Sequence, residues 1–250
     1  MIIKKFIKRI SFRILYPLSK YYLLKERTYK YKDIAIKVMP DVFHPGLFFS
    51  TKILLEYLND KKLNGSYLLE LGAGTGLISV LCAKKGALVT ATDISSKAIQ
   101  NIKQNAADNS VSINIMLSDL FDDFPEQKFD WIIINPPYFP KDPSNDYEQA
   151  WYCGSNFQFF TKVFNQLDLY SDRSSNIIMI LSEDCDINRI SKIAEKNSFV
   201  FDEIKRKRKW GEWNFLYRIE RKSNLIKTDS SEENNNSHAY TDNNKSHNYQ

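Results

Sequence analysis

A glycine-rich turn is the first feature of this sequence that could take part in chemistry. Residues Glu70–Gly76 read ELGAGTG and stand between an apolar, strand-like run and a helical stretch. Glycines at such a junction permit a tight turn and let a ligand approach the backbone closely, so a nucleotide-like ligand is the default. The nicotinamide fingerprint requires glycine or alanine where Leu77 stands, and the spacing therefore disfavours a dinucleotide cofactor.

A second candidate is the tetrapeptide Asn135–Tyr138, which reads NPPY and directly follows the apolar run Trp131–Ile134. If that run is a parallel strand, the tetrapeptide lies at the carboxyl edge of the sheet, next to the crevice in which ligands bind. An Asn-Pro pair alone is an ordinary turn signal. The second proline and the aromatic residue, downstream of a glycine-rich turn, favour a functional role.

Two aspartates follow further strand-like runs. Asp93 closes the run Leu88–Thr92, where a carboxylate can accept hydrogen bonds from both ribose hydroxyls of a nucleoside. The alternative is that Asp93 caps the next helix, although Ser95 or Ser96 could equally do so. Asp119 follows the next run and could be a plain loop residue.

The elements that would position these residues alternate between strand and helix. This order predicts a parallel, doubly wound α/β sheet. Two later runs on either side of a short turn predict an antiparallel hairpin. The predicted strands are Tyr67–Leu71, Leu88–Thr92, Ser112–Leu117, Trp131–Ile134 and Ile177–Leu181, the helices are Leu77–Lys85, Lys97–Asp108, Phe157–Leu167 and Ile187–Lys196, and the hairpin strands are Phe199–Lys207 and Trp213–Arg221.

The composition excludes several classes of protein. Hydrophobic residues make up 43% of the 250, enough for one sizeable core, yet no apolar run approaches the roughly 18 residues of a membrane span. Three scattered cysteines without a C-x-x-C pair argue against a disulfide framework or a zinc site. We therefore expect no bound metal and a cytoplasmic location. Of three histidines, only His44 falls outside the polar C-terminal segment, which excludes most histidine-based triads.

The net charge of +5 hides a strong asymmetry. Residues 1–40 hold eleven Lys and Arg against Glu26 and Asp33, and residues 3–14 place apolar side chains on one helical face and basic ones on the other. This pattern predicts a basic amphipathic helix that stops near Pro17. Its apolar face could pack on the main domain, or the helix could bind RNA or an anionic membrane surface.

Three regions follow from this organisation. Residues 1–40 form the basic N-terminal helix and a linker, residues 41–222 form the α/β domain, and residues 223–250 are polar and predicted to be disordered. Within the linker, Asp33–Met39 alternates like a strand. Downstream, Ser50 is a suitable N-cap for the first helix of the domain.

An unbroken basic run, Lys205–Lys209, ends the first hairpin strand. Lysines commonly block pairing at the edge of a sheet, so edge protection is one interpretation. The other is a phosphate-binding rim, with Trp210 and Trp213 available to stack on bases.

The glycine-rich turn and the NPPY tetrapeptide together resemble motifs I and IV of class I S-adenosylmethionine-dependent methyltransferases, in particular the HemK-like, small-domain enzymes that act on planar nitrogens. The resemblance covers about residues 40–220. It implies a Rossmann-like, doubly wound, seven-stranded and mostly parallel sheet with an antiparallel C-terminal hairpin, and S-adenosyl-L-methionine as the cofactor. The cofactor-binding residues that it implies are Glu70, Gly72, Gly74, Gly76, Asp93 and Asp119, the last through the adenine amino group.

The resemblance also implies which residues hold the methyl acceptor. In the family, an asparagine oxygen and the carbonyl of the first proline hold the acceptor NH₂ group; here these residues are Asn135 and Pro136, and Tyr138 would stack on the planar group. The acceptor would be a glutamine amide, adenine N6 or guanine N2. Because its lone pair is delocalised, positioning and preorganised dipoles would supply the rate, and no strong general base is required.

Two further segments resemble the same family. Val42–Pro45 with Thr51 resembles the segment that precedes motif I and helps to close the cofactor pocket, and Ala150–Gly154 loosely resembles a small-residue and glycine stretch after motif IV. Within the first segment, His44 could contact the ligand or be a satisfied local histidine.

The substrate stays open between a protein glutamine and a nucleobase in RNA. HemK proteins that modify release-factor glutamine carry a helical N-terminal domain, whereas only about 40 residues, many of them basic, precede the core here. The alternative function is a non-catalytic RNA-binding or membrane-surface adaptor that keeps the same fold.

Overall fold

The computed structural model describes residues 24–46, 49–122, 124–209 and 211–222. The predicted amphipathic helix, Trp210 and the predicted disordered tail lie outside these residues, so those assignments stay predictions. No helix within the described ranges is both long enough and apolar enough to cross a lipid bilayer.

From residue 67 onward the described elements follow the predicted order, apart from a short helix, Asp146–Gln149, that the sequence pattern did not predict. The first helix among the described residues begins at Phe49, so Ser50 lies within its first turn rather than at its N-cap. The strands are β1 (Arg27–Tyr31), β2 (Ile34–Val38), β3 (Tyr67–Leu71), β4 (Leu88–Asp93), β5 (Asn114–Leu117), β6 (Trp131–Ile134), β7 (Asn176–Ser182), β8 (Phe199–Lys209) and β9 (Glu212–Arg221). The helices are α1 (Phe49–Asn59), α2 (Leu77–Lys84), α3 (Ser96–Asp108), α4 (Asp146–Gln149), α5 (Gln158–Tyr170) and α6 (Ile187–Lys196).

A seven-stranded sheet forms the centre of the fold, in the order β5-β4-β3-β6-β7-β9-β8. The first five strands in this order pair in parallel, and β9 pairs antiparallel with both β7 and β8. The predicted doubly wound, mostly parallel sheet with an antiparallel C-terminal hairpin is confirmed. Strand β6 reads WIII and is buried throughout, as expected for a parallel strand with both faces covered.

The register of the central strands brings several loops to one edge. Leu71, the last residue of β3, pairs with Ile134, the last residue of β6, and with Thr92 of β4. Parallel strands share the edge at which they end, so the residues that follow them meet there. The glycine-rich turn, Asp93 and the NPPY tetrapeptide all leave the sheet at this carboxyl edge.

Two apolar layers cover the two faces of the sheet and fix its position. One layer joins α5 and α6 to the sheet, and the other joins α1, α2 and the hairpin β1–β2 to it. Phenylalanine dominates the first layer, with Phe121, Phe129, Phe157, Phe160, Phe164 and Phe199 almost fully buried.

The hairpin β1–β2 packs on the domain, although the sequence assigns part of it to a linker. Ile34, Ile36 and Val38 are each 1% exposed and lie in the same apolar layer as α1 and α2. Strand β2 falls within the predicted strand Asp33–Met39. Its partner β1 reads RTYKY with alternate residues exposed, so its sequence carries little apolar signal.

Helix α3 binds β2 through asparagine side chains spaced one helical turn apart. The Asn105 side-chain oxygen accepts a hydrogen bond from the Lys37 N–H at 2.8 Å, and its NH₂ group donates to the Lys37 carbonyl at 2.8 Å. The Asn101 oxygen accepts from the Met39 N–H at 3.0 Å. These bonds satisfy backbone groups that a neighbouring strand would otherwise pair, so the helix completes the edge of the hairpin.

Candidate active site

A cavity of about 420 Å³ lies at the carboxyl edge of the sheet, among the loops that follow β3, β4, β5 and β6. The structure brings together in its lining all of the predicted site residues except Gly76. These lining residues are Glu70, Gly72, Gly74, Asp93, Asp119, Asn135, Pro136 and Tyr138.

The glycine-rich turn needs glycine for two different reasons. Gly74 lines the cavity with φ at 54°, a left-handed conformation that other residues rarely adopt. Gly76 also has a positive φ, 73°, and a Cβ atom there would lie 3.0 Å from Cγ2 of Ile102 on α3. Gly76 therefore lets α3 pack against the turn, while Gly74 leaves the backbone open to a ligand.

Asp93 ties the end of β4 to the glycine-rich turn. Its Oδ2 accepts a hydrogen bond from the Gly74 N–H at 2.8 Å, and its Oδ1 accepts from the Ser95 N–H at 2.9 Å. The cap of α3 is Ser95, whose hydroxyl accepts from the Ala98 N–H, so Asp93 does not take that role. Each carboxylate oxygen keeps acceptor capacity for a further donor such as a ribose hydroxyl.

The buried carboxyl group of Glu70 lies near the partly buried carboxyl group of Asp93, below the turn. Glu70 is 4% exposed, and its Oε2 accepts a hydrogen bond of 2.5 Å from the Ser79 hydroxyl. Burial raises the pKa of Glu70 to about 8, and the nearby Asp93 adds to this effect. Burial also raises the pKa of Asp93, against the opposing effect of its backbone N–H donors. A cationic ligand would relieve the cost of ionising either group.

Ile94 is a lining residue that the sequence reasoning missed. It follows Asp93, lines the cavity and is 44% exposed, so its side chain is accessible from the cavity. Asp93 is the residue expected to bind the ribose hydroxyls, and an apolar side chain next to it suits the face of a planar base. The sequence signal that could have identified Ile94 is an apolar residue directly after a strand that ends in aspartate.

Asp119 lies in the cavity lining and is held by a lysine that the sequence reasoning also missed. Lys162 on α5 donates to Asp119 Oδ2 at 2.6 Å and to Asp122 Oδ2 at 2.5 Å. The second oxygen of Asp119, Oδ1, takes no part in this ion pair. The arrangement fixes the carboxylate while leaving one oxygen for a donor in the cavity.

Asn135 starts the loop after β6 and faces α1. Its Nδ2 lies 3.5 Å from the hydroxyl oxygen of Thr51, a buried residue that also lines the cavity. With the NH₂ group toward Thr51, the Asn135 side-chain oxygen is left as an acceptor. Pro136 follows as a buried residue of the same lining.

Tyr138 is anchored by its hydroxyl group. The hydroxyl hydrogen-bonds Ser182 at the end of β7, and burial raises the pKa of Tyr138, with Glu212 adding to the effect. Its ring packs against that of Phe139, with centroids 5.0 Å apart and planes tilted by 54°. The ring lines the cavity from a fixed position, which is compatible with the predicted stacking role.

Phe43 and Trp151 form an aromatic pair beside the glycine-rich turn. Their ring centroids lie 5.6 Å apart at an angle of 57°, and both residues line the cavity. Trp151 belongs to the segment Ala150–Gly154, which pairs with Phe139 through backbone hydrogen bonds of 3.0 Å. Both segments that resemble the methyltransferase family therefore contribute an aromatic wall to the cavity.

His44 lies outside the cavity lining. Its Nδ1 accepts a hydrogen bond from the Gly46 N–H at 3.1 Å, and its ring meets that of Tyr29 edge-on at 5.9 Å. Burial lowers the pKa of His44, so the neutral form is favoured. Of the two roles considered for this residue, the local structural one fits the geometry. Within the described ranges, no three His, Cys, Asp or Glu side chains are grouped so as to hold a metal ion.

Comparisons with known proteins show what this chain is similar to. Residues 33–151 match the family model described as methyltransferase small domain. A Methanocaldococcus jannaschii protein inferred to be a protein N5-glutamine methyltransferase is 44% identical over 110 residues, which cover 44% of this chain and 53% of the relative. A ribosomal RNA small subunit methyltransferase C from Buchnera aphidicola is 36% identical over 124 residues, or 48% of this chain and 35% of the relative. The chain thus spans about half or less of the length of these relatives.

A solved structure extends the likeness over more of the fold. The 16S rRNA N2 G1207 methyltransferase of T. thermophilus, solved in complex with AdoMet and guanosine, aligns with a TM-score of 0.56 at 18% identity. The alignment covers 77% of this chain and 50% of that chain. At this identity the likeness bears on the fold alone. This chain has the fold of that solved methyltransferase, and its residues 33–151 are similar to the methyltransferase small domain family.

Proposed function

We propose that this protein is an S-adenosylmethionine-dependent N-methyltransferase that acts on a planar nitrogen, either an amide or an exocyclic amino group. The observation that carries the proposal is that Asp93, the glycine-rich turn and Asn135 line one cavity at the carboxyl edge of the sheet. The cavity therefore has two ends. The nucleoside end, at Asp93 and the glycine-rich turn, can hold the nucleoside of the cofactor, and the acceptor end, at Asn135, can hold the nitrogen that receives the methyl group. The proposal includes a cytoplasmic location, which the three free, buried cysteines support.

The residues of the cavity fit the proposed cofactor. Asp93 offers acceptors for ribose hydroxyls, Ile94 offers an apolar face for adenine, and Asp119 Oδ1 offers an acceptor for the adenine amino group. The bound cofactor would supply a methyl group carried on a sulfonium, so it is cationic at the reacting centre. The lining suits a cation. Its acidic residues are Asp41, Glu70, Asp93, Asp119 and Asp142, of which Glu70 has a pKa raised to about 8 and keeps its proton near neutral pH. Its one basic residue within the described ranges is Lys162, which pairs with Asp119 and Asp122.

The roles of the acceptor end follow from its hydrogen-bonding groups. Thr51 holds the NH₂ group of Asn135, so that the Asn135 oxygen and the Pro136 carbonyl can accept from the acceptor nitrogen. Tyr138 provides a ring held by its hydroxyl, and the aromatic pair of Phe43 and Trp151 limits access of water. The described lining includes no histidine, and positioning with preorganised dipoles would supply the rate.

The substrate lies between two classes. The names of the relatives include a protein glutamine methyltransferase and a ribosomal RNA methyltransferase, and the amide and the exocyclic amine present the same planar NH₂ group. An RNA or a protein is therefore the proposed partner, and the basic residues 1–40 could also contact either RNA or an anionic membrane surface. The relatives' names favour these substrates over a small molecule.

Two measurements test the proposal. Calorimetry should detect binding of S-adenosylmethionine and S-adenosylhomocysteine, and no binding of NAD. Incubation with methyl-labelled cofactor and cell extract should label a macromolecule, and release of the label by RNase or by protease names the substrate class. Binding of NAD, or absence of S-adenosylmethionine binding, would refute the assignment. Cofactor binding without any labelling would favour the non-catalytic adaptor.

A variant separates the acceptor end from the nucleoside end. Asn135→Ala should lower kcat by about 10² or more, the scale for removing one preorganised polar group, while cofactor affinity stays nearly unchanged. Asn114→Ala, on the edge strand β5, serves as the matched control and should keep full activity. Methyl transfer within a few-fold of wild type in Asn135→Ala would mean that the NPPY tetrapeptide is only a turn.

A further inference from the structure

The hairpin β8–β9 extends past the end of its neighbour in the sheet. Strand β7 ends at Ser182, which pairs with Asn214, whereas β9 begins two residues earlier, at Glu212. The partners of these extra residues on β8 are Arg208 and Lys209. At about 3.3 Å per residue, the tip projects about 7 Å beyond β7, and Glu183, the residue after β7, still donates a hydrogen bond of 2.8 Å to the Trp213 carbonyl. It does so at the carboxyl edge, where the cavity opens.

Aromatic rings hold the cations of this tip in place. The Arg208 guanidinium lies 5.7 Å from the centre of the Trp213 ring, and Lys209 Nζ lies 4.9 Å from the centre of the Phe49 ring. Neither cation pairs with a carboxylate among the residues that the structure describes. A ring orients a cation without neutralising it, so both positive charges stay available to an anion.

In the middle of the basic run Lys205–Lys209, by contrast, the positive charges pair with carboxylates. Arg206 pairs with Glu203 at 2.5 Å, and Lys207 pairs with Glu56 at 2.7 Å. These pairs belong to the edge strand β8, where charged side chains also oppose pairing with another chain. Edge protection therefore accounts for the middle of Lys205–Lys209, and it leaves the tip unexplained.

Two sets of contacts join the tip to the acceptor end of the cavity. Phe49, beneath Lys209, begins α1, and two residues later Thr51 lies 3.5 Å from the Asn135 side chain. On the other side, Tyr138 hydrogen-bonds Ser182, the last residue of β7 before the overhang. The tip is thus connected to the NPPY tetrapeptide through the start of α1 and through the end of β7.

We propose that the tip formed by Arg208, Lys209 and Trp213 binds the phosphates and a flanking base of an RNA substrate, whose target nucleobase enters the acceptor end. This inference rests on the proposed function and names its substrate class. RNA matches both halves of the surface, because phosphates pair with cations and bases stack on aromatic rings. Phe43, Trp151 and Tyr138 offer further aromatic faces inside the cavity. A glutamine side chain would present only one small amide plane to these rings.

The test compares salt dependence of RNA binding in two matched double variants of the full chain. Arg208→Gln with Lys209→Gln removes the two charges of the tip, and Lys192→Gln with Lys196→Gln removes two charges from α6. The probe is a short single-stranded RNA of mixed sequence. We expect the slope of log K against log salt to shrink by about 1.4 in the tip variant, at about 0.7 per lost phosphate contact, and to stay unchanged in the α6 variant. A charge-keeping swap, Arg208→Lys with Lys209→Arg, should retain the wild-type slope.

The outcomes separate this inference from the proposed function. An unchanged slope in the tip variant, or an equal decrease in the α6 variant, would overturn the inference. It would also be overturned if the tip variant lost binding to a polyglutamate peptide while RNA binding was unaffected, since that result indicates an acidic protein partner. The tip variant should bind S-adenosylhomocysteine as wild type does, which also shows that it is folded. Absence of such binding in the wild type would refute the proposed function itself, whatever the RNA slopes are.

Discussion

The side chain of Asn105 donates a hydrogen bond of 2.9 Å to the backbone carbonyl of Thr75, inside the glycine-rich turn. The same side chain makes two hydrogen bonds of 2.8 Å with the backbone of Lys37 in β2. One fully buried residue of α3 therefore joins the N-terminal hairpin to the turn that borders the cavity. The hairpin is coupled to the site in this way, although neither of its strands lines the cavity.

Asn105→Ala should destabilise the protein strongly. The change removes the partner of the Lys37 N–H and of the Thr75 carbonyl, whereas the Lys37 carbonyl keeps a hydrogen bond from Asn101 Nδ2. Each buried, unpaired group costs about 1 to 3 kcal/mol. We expect the free energy of unfolding in urea to fall by about 2 to 4 kcal/mol. The control is Gln104→Ala, whose amide reaches only the exposed Asp108 and whose loss should cost less than about 0.5 kcal/mol. Equal effects of the two changes would contradict this role of Asn105.

The sequence predicts the centre of the fold well, because the central strands are apolar on both faces. The run WIII of β6 is bounded by polar residues and has the same bounds in the structure, as does β3. The order of strands and helices, together with the carboxyl-edge rule, also placed Asp93 and Asn135 in one crevice. The local sequence pattern is therefore sufficient to predict those parts of the structure that depend on the burial of strands and on the order of the loops.

Other features depend on contacts between distant segments and leave no local pattern. Lys162 meets Asp119 across 43 residues, and a lysine on a helix is ordinarily an exposed side chain. The pairing of Phe43 with Trp151 requires two loops to meet above the glycine-rich turn. Likewise, Asn105 lies on a helix whose polar residues would normally face water. Tertiary contacts determine these positions.

Asp93→Asn should weaken cofactor binding. The asparagine keeps the size of the side chain but has one acceptor oxygen, whereas Asp93 already accepts from both Gly74 and Ser95. Either a turn bond or a ribose bond is then lost, and a hydrogen bond to a charged group is worth about 1.5 to 3 kcal/mol. The dissociation constant of S-adenosylhomocysteine, measured by calorimetry, should rise about tenfold or more. Asp202→Asn, at an exposed position of β8, is the control, and the same affinity in both variants would show that Asp93 does not hold the cofactor.

Glu70 should make the protein less stable as pH rises. Burial raises its pKa from the ordinary 4.5 to about 8, so between these values the unfolded state has released a proton that the folded state keeps. The contribution of Glu70 to the free energy of unfolding therefore decreases from about pH 4.5 to about pH 8 and is constant above that. Glu70→Gln should remove this part of the pH dependence in urea unfolding at pH 5, 7 and 9, while Glu195→Gln on α6 should keep it. If the free energy of unfolding changed with pH in the same way in wild type and in Glu70→Gln, Glu70 would not keep a proton in the folded state.

Lys162 should act on the cofactor through Asp119. Replacing it by Met releases the Asp119 carboxylate, and the affinity for S-adenosylhomocysteine should fall about twofold to fivefold, the scale of a partly exposed ion pair. Lys162→Arg, which keeps the charge, should recover part of the loss. Asp119 is proposed to accept a hydrogen bond from the adenine amino group. Lys162→Met should therefore weaken the binding of S-adenosylhomocysteine more than the binding of its inosine analogue, which lacks that amino group. Lys103→Met on the exposed face of α3 is the control. An equal loss for both ligands would mean that Lys162 supports the shape of the cavity and does not position Asp119.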